Sequence, residues 1–365
     1  MTTFDWSQYT GNPGWLPART LYLTRHGSHA YGTSTPESDI DIRGVCVAPM
    51  RYYLGFSLAF EQVVQNKPID LTVFELRKFM KLATDANPNT LEILYTDPSD
   101  HLLVRPPMEK LFDNRDLFLS KKIKHTFSGY SRAQMKRINT HYRWLKNPPL
   151  APPTRAEFNL PERTVIPADQ LDAAESAVKK QVDRWAWREL EHLDPALRHA
   201  MQDEFTRRLL EITQWSWDEI DEKLYHTAAK SVGYDANFIE YLDLERRYTA
   251  RLREWQHYQD WKTKRNPKRA ELEAKFGMDT KHAMHLVRLA RMCREILTTG
   301  QVLVKRPDAD ELLAIRNGVW SYEQLVEFSD RQDNELEELV KTSALPKQPN
   351  REKLDALCEE MILTC

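Results

Sequence analysis

Gly27 to Gly44 reads GSHAYGTSTPESDIDIRG, and this stretch decides the fold. It is entered through a short β-prone run, Arg19 to Thr24 (RTLYLT). It leaves through Asp39 to Pro49 (DIDIRGVCVAP), where polar and apolar positions alternate until a proline stops them. Side chains two apart on a strand leave from the same face, so Asp39 and Asp41 can grip one cation together. Mg²⁺ takes hard oxygen ligands in octahedral geometry, usually one or two carboxylates with phosphate oxygens beside them. A third carboxylate on a neighbouring strand would complete a two-metal site, with ions about 3.5–4 Å apart, one activating an attacking hydroxyl and the other a leaving pyrophosphate. Asp70, heading the run Ile69 to Leu76 (IDLTVFEL), is the candidate.

Gly27-Ser28 falls where the first strand should end and a helix begin. Free backbone N–H groups and the positive end of the helix dipole can hold a phosphate there, the glycine lets it approach closely, and the Ser28 hydroxyl adds a donor. Each piece alone has a bland reading: Asp-x-Asp as a solvated strand face, Gly-Ser as a turn. In the order strand, Gly27-Ser28, ten residues, Asp39-Ile40-Asp41, strand, hairpin, Asp70, they point to phosphoryl transfer by positioning and charge neutralisation.

Further along, Phe60 to Gln65 (FEQVVQ) and Ile69 to Leu76 flank Asn66-Lys67-Pro68, as in a hairpin. Arg77 to Asp85 turns to helical spacing, and Asn87-Pro88-Asn89 breaks it, with Asn87 expected to end the helix. From about residue 105 the pattern is almost wholly helical. The fold class expected is α+β: a small mixed-sheet catalytic domain over 1–104, a basic helical segment over 105–147 packing on it, and a helical domain over 148–365, with the active site between the sheet and the helical portion.

A chain of 365 residues can bury a core without covalent staples. Cys46, Cys293, Cys358 and Cys365 form no paired short spacing of the kind a zinc or redox site uses, so they read as reduced thiols. No basic-then-apolar leader and no stretch of about 18 apolar residues occurs, which excludes a membrane span and suggests a cytoplasmic protein. Net charge is −2, so any hold on a polyanion must be local.

One local source is Lys121 to Lys146, rich in Lys and Arg and free of acids, with Phe127, Tyr130, Tyr142 and Trp144 interleaved. Lys122, Lys136, Arg137 and Arg143 suit an RNA-facing surface, whereas Phe127 and Tyr130 at i, i+3 suit a core. A second is Lys281, His285 and Arg288, at i, i+4 and i+7 on one helical face, able to meet a triphosphate or base, or else simply a solvated basic face. The tryptophans Trp185, Trp187, Trp215, Trp217, Trp255 and Trp261 read most economically as anchors between long helices.

The Gly-Ser then Asp-hydrophobic-Asp spacing resembles the signature of the DNA polymerase β nucleotidyltransferase superfamily. GSHAYGTSTPESDIDIRGV, DLTVFELRKFMKLATDANPNTLEILY, DTKHAMHLVRLARMCREIL and KRPDADELLAIRNG are together similar to the nucleotidyltransferases associated with RNA-repair operons in bacteria and phages. The resemblance covers residues 20–145 and 275–325. It implies a catalytic and metal-binding triad at Asp39, Asp41 and Asp70, two Mg²⁺ or Mn²⁺ ions, and an NTP substrate, ATP first. It also implies transfer of NMP to an acceptor hydroxyl, with an RNA end such as a damaged tRNA as leading acceptor. Glu61, Asn87, Asn89 and Glu92 lie in motifs that recur in that family and would support the site from behind. Adenylylation of a protein or small molecule, or silent RNA binding on the same fold, are the alternatives.

Overall fold

The computed structural model describes residues 4–187, 217–265 and 267–365. Contacts divide the chain into two units, Met1–Ile138 with Met278–Cys365, and Asn139–Gly277. The first unit holds a five-stranded mixed sheet, β1 (Thr20–His26), β2 (Asp41–Cys46), β3 (Gln62–Gln65), β4 (Asp70–Glu75) and β5 (His101–Val104), in the order β3-β4-β2-β1-β5. β3 and β4 form the expected antiparallel hairpin, β4 runs parallel to β2, and β1 is antiparallel to both β2 and β5.

Strand alternation decides which side chains meet which layer. Leu23, Ile42, Leu71 and Val73 face one way, into a core closed by Trp6, Tyr9, Trp15 and Phe60 from beside the sheet. Tyr22 and Val45 face the other way, into a larger core with Phe79, Leu91, Met292 and Ile296 from helices. Burial of each such side chain contributes about 1.5–3 kcal/mol. Asp41, Arg43 and Asp70, one residue off Ile42 and Leu71 in the alternation, therefore stand on the helix-covered face, at the end where β2 and β4 begin.

Two helices follow β4. Leu76–Thr84 is capped by Glu75, which accepts from Lys78 N at 3.2 Å, and Pro88–Ile93 starts with a proline whose missing N–H costs nothing in a first turn. Asn87 does not end the first of these helices. Ala86 takes the left-handed turn (φ 55°) and Asn87 caps the second helix, accepting from Thr90 N. The helix Thr280–Thr299, capped by Asp279, packs Met292, Cys293 and Ile296 into the same core. Asp308 precedes the helix Ala309–Arg316.

The basic run is one helix, Ile123–Lys146. Its start is not a surface: Lys122 is 3% exposed and donates to Asp85 at 2.9 Å, Lys124 is paired with Glu337, and Phe127 is fully buried. Tyr130 accepts from Asn87 Nδ2. Lys136, Arg137 and Arg143 are exposed, as their spacing suggests.

The second unit contains the long helices Trp217–Val232 and Ala236–Lys264, with a small core of Val178, Tyr225, Ala228, Ala229 and Ile239. Trp261 packs with Trp144, Tyr258 and His141, as an anchor would. Trp215 lies outside the described residues, as do the side chains of Trp185, Trp187 and Trp217. Among the described residues no helix is long and apolar enough to cross a membrane.

Candidate active site

Strand register brings His26, Asp41 and Asp70 abreast. His26 of β1 pairs with Asp41 of β2, and Asp41 pairs with Asp70 of β4 across the parallel ladder. Parallel neighbours are about 4.8 Å apart, so two carboxylates at matched positions on one face must approach each other. Their charges are met by Arg43, two residues along β2 on the same face. Its Nη1 donates to Asp70 Oδ1 at 2.8 Å and its Nη2 to Asp41 Oδ1 at 3.4 Å. Partial burial raises the pKa of Asp41; Arg43 opposes this, the charge and hydrogen bond of Asp70 add to it, and Lys281 opposes it.

Gly27 ends β1 and opens the short helix Gly27–Tyr31, at φ 62°. A Cβ there would lie 2.2 Å from Asp41 Oδ2. Glycine is required twice over, by the left-handed backbone and by the carboxylate against it. The strand-to-helix turn at Gly27-Ser28 thus stands where the sequence places it, beside Asp41, with first-turn N–H groups that the helix itself cannot use.

Asp39 is set apart. β2 begins at Asp41, so Asp39 lies in the extended lead-in, exposed, and the three carboxylates do not all come within 4.8 Å of one another. The donors nevertheless suit a divalent ion. Asp41 and Asp70 offer hard oxygens, their side chains are 30% and 39% exposed, and a cationic group already bridges them.

Behind this edge lies a buried cluster. Glu92, fully buried, accepts from Arg288 Nη1 at 2.6 Å and from Tyr31 Oη at 2.6 Å. The Arg288 guanidinium sits 3.7 Å from the centre of the Tyr31 ring. Burial holds the Tyr31 hydroxyl well above its ordinary pKa, so it stays protonated and donates. His26 Nε2 is 3.6 Å from Glu92 Oε2 with no hydrogen-bond partner. Burial pushes the His26 pKa down to about 4 against the pull of Glu92, with Arg43 and Arg288 lowering it further, so the ring is neutral.

The stripe expected on the helix Thr280–Thr299 is therefore split. Arg288 turns inward to Glu92, Lys281 in the first turn is near enough for its charge to act on Asp41, and His285 is half-buried between them. Glu61 pairs with Lys78 at 2.6 Å, and Asn89 is exposed. Arg43 went unread, although its place two residues from Asp41 on one strand was the signal available.

A mixed five-stranded sheet with paired carboxylates at the starts of two central strands and a Gly-Ser turn against them is consistent with a polymerase-β-type domain. Comparison with known proteins agrees: residues 10–147 match the RNA repair pathway DNA polymerase beta family. Over 325 residues, 85% of the chain and 86% of the relative, the sequence is 26% identical to an uncharacterized 38.9 kDa protein of Enterobacteria phage T4 encoded in the nrdC-mobD intergenic region. It is also 35% identical over 83 residues to the uncharacterized protein YcgL of Bacillus subtilis, covering 22% of the chain and 31% of the relative. No solved structure matches. The family match suggests a nucleotidyltransferase-type function.

Proposed function

We propose that the protein transfers NMP from an NTP to an acceptor hydroxyl, with release of pyrophosphate, at the edge formed by Asp41 and Asp70. The carrying observation is that these carboxylates stand abreast on parallel strands, with Gly27 forced to be glycine by Asp41. Asp41 and Asp70 would hold the divalent metal, Mg²⁺ or Mn²⁺, and Asp39, from the strand's lead-in, would join them or take a second ion. When bound, the metal supplies positive charge to the phosphates and the reacting oxygens.

The chain's own residues do the rest. Gly27 and Ser28 present backbone N–H groups and a hydroxyl to the triphosphate, and the cationic side chain of Lys281 and the imidazole of His285 face it from the helix Thr280–Thr299. The acceptor oxygen bonds to the α-phosphorus as the bond from that phosphorus to the bridging oxygen breaks, and pyrophosphate leaves with the electron pair. The acceptor's proton passes to the Asp70 carboxylate or to water. Arg288 acts from behind, fixing Glu92 and Tyr31 under the Gly27 turn. ATP is the leading nucleotide and an RNA end the leading acceptor, supported by the family match and by exposed Lys136, Arg137 and Arg143.

The test is transfer of label from each α-³²P NTP, with Mg²⁺, in the presence of total tRNA and in its absence. Label should move onto RNA with the native chain, and fall by about a thousandfold or more in the Asp41→Asn/Asp70→Asn variant and on EDTA treatment. Label on protein would replace the RNA reading with adenylylation, and equal transfer by the double variant would remove the site.

A further inference from the structure

The end of the sheet where β2 and β4 begin contains a cation of its own. Arg43 reaches both carboxylates from one position on β2: Nη1 bonds Asp70 Oδ1 at 2.8 Å, the Ile42 carbonyl at 2.9 Å and the Asp70 carbonyl at 3.4 Å, while Nη2 bonds Asp41 Oδ1 at 3.4 Å. The Arg43 side chain is 22% exposed, so the arrangement is open to water on one side. Arg43 occupies Oδ1 of both carboxylates, so a divalent ion drawn to those oxygens meets a positive charge already seated there, and at such range the two charges repel. A partly buried ion pair with one side open to water is worth less than a fully enclosed one, so another cation can take its place.

We propose that Arg43 is the resident counter-cation of Asp41 and Asp70, competing with the divalent metal for them, and that metal entry releases it to bind the phosphates of the nucleotide. This rests on the reading of Asp41 and Asp70 as metal carboxylates. The planar fork of an arginine matches a phosphate as well as it matches a carboxylate, so a released Arg43 has an anionic partner only when the nucleotide is present. Metal and nucleotide consequently bind cooperatively. Metal alone must displace a cation that gains no anionic partner in exchange, and nucleotide alone meets an arginine already engaged.

Mn²⁺ binding to the full chain without nucleotide, measured by calorimetry, tests this. Arg43→Gln should tighten Mn²⁺ by roughly tenfold, because the competing charge is gone. In the same variant an unreactive ATP analogue, titrated at saturating Mn²⁺, should bind roughly tenfold more weakly, since the phosphates have lost a forked donor. Arg43→Lys, which keeps the charge, should leave Mn²⁺ affinity near that of the native chain. Unchanged or weaker Mn²⁺ binding in Arg43→Gln, or equal tightening in Arg43→Lys, overturns the competition. If Asp41→Asn/Asp70→Asn binds Mn²⁺ as the native chain does, the metal reading of those carboxylates itself fails, and the proposal with it.

Discussion

Among the arginine–carboxylate arrangements of the first unit, two differ sharply in burial. Where β2 and β4 begin, Arg43 lies between Asp41 and Asp70, whose side chains are 30% and 39% exposed. Behind it, Arg288 meets Glu92 with side chains 3% and 0% exposed. The chemistry of the partners is the same, and burial separates them. A partly exposed pair contributes less to stability and can be traded for another cation, whereas removing one partner of a buried pair strands a charge in the interior. The first arrangement is suited to binding, the second to holding the helix Thr280–Thr299 against the helix Pro88–Ile93.

Isosteric neutralisation should expose the contrast most strongly. Glu92→Gln leaves the Arg288 charge unmatched and is expected to destabilise the protein by about 3–5 kcal/mol in denaturant titrations. Asp41→Asn should change stability by no more than about 0.5 kcal/mol while abolishing transfer. Equal losses from both would erase the distinction.

Acid should act next, through His26. Its folded pKa is about 4 against 6.5 in the unfolded chain, so below 6.5 the unfolded chain takes a proton that the buried ring refuses. Stability contributed above pH 6.5 is lost as pH falls toward 4, by up to about 3 kcal/mol. His26→Asn should flatten that part of the profile, and an unchanged slope would mean that His26 is not the group responsible.

Gly27→Ala should cost about 1–2 kcal/mol of stability for the left-handed backbone. The added Cβ must also push the Asp41 carboxylate aside, so Mn²⁺ affinity should fall several-fold. A variant with native metal affinity would show that Asp41 need not sit where Gly27 lets it.

The placement of Gly27, Asp41 and Asp70 was legible because it is local. Gly27, Asp41 and Asp70 lie at strand ends marked by alternation and by a hairpin, and the mixed sheet follows from those marks. What escaped depended on which way a charged side chain turns. Arg288 lies amid Leu286, Val287, Leu289 and Ala290, and helical spacing groups it with Lys281 and His285 while burial takes it inward to Glu92. Lys122 has the composition of a surface residue, but Asp85, distant in sequence, draws it into the protein. β5 is only four residues, His101–Val104, and pairs with β1 across long sequence separation, so no local periodicity announces it. Asp39 shares a strand with Asp41 by pattern, yet the ladder starts one residue after Ile40.

The most direct test of the proposed metal site at Asp41 and Asp70 is a crystal structure with Mn²⁺ and an unreactive NTP analogue, read by anomalous scattering. The expected result is an Mn²⁺ peak held by Asp41 and Asp70, with the triphosphate at Gly27-Ser28 and Arg43 turned onto it. Nucleotide bound elsewhere, with Arg43 still seated between the two carboxylates, would contradict it.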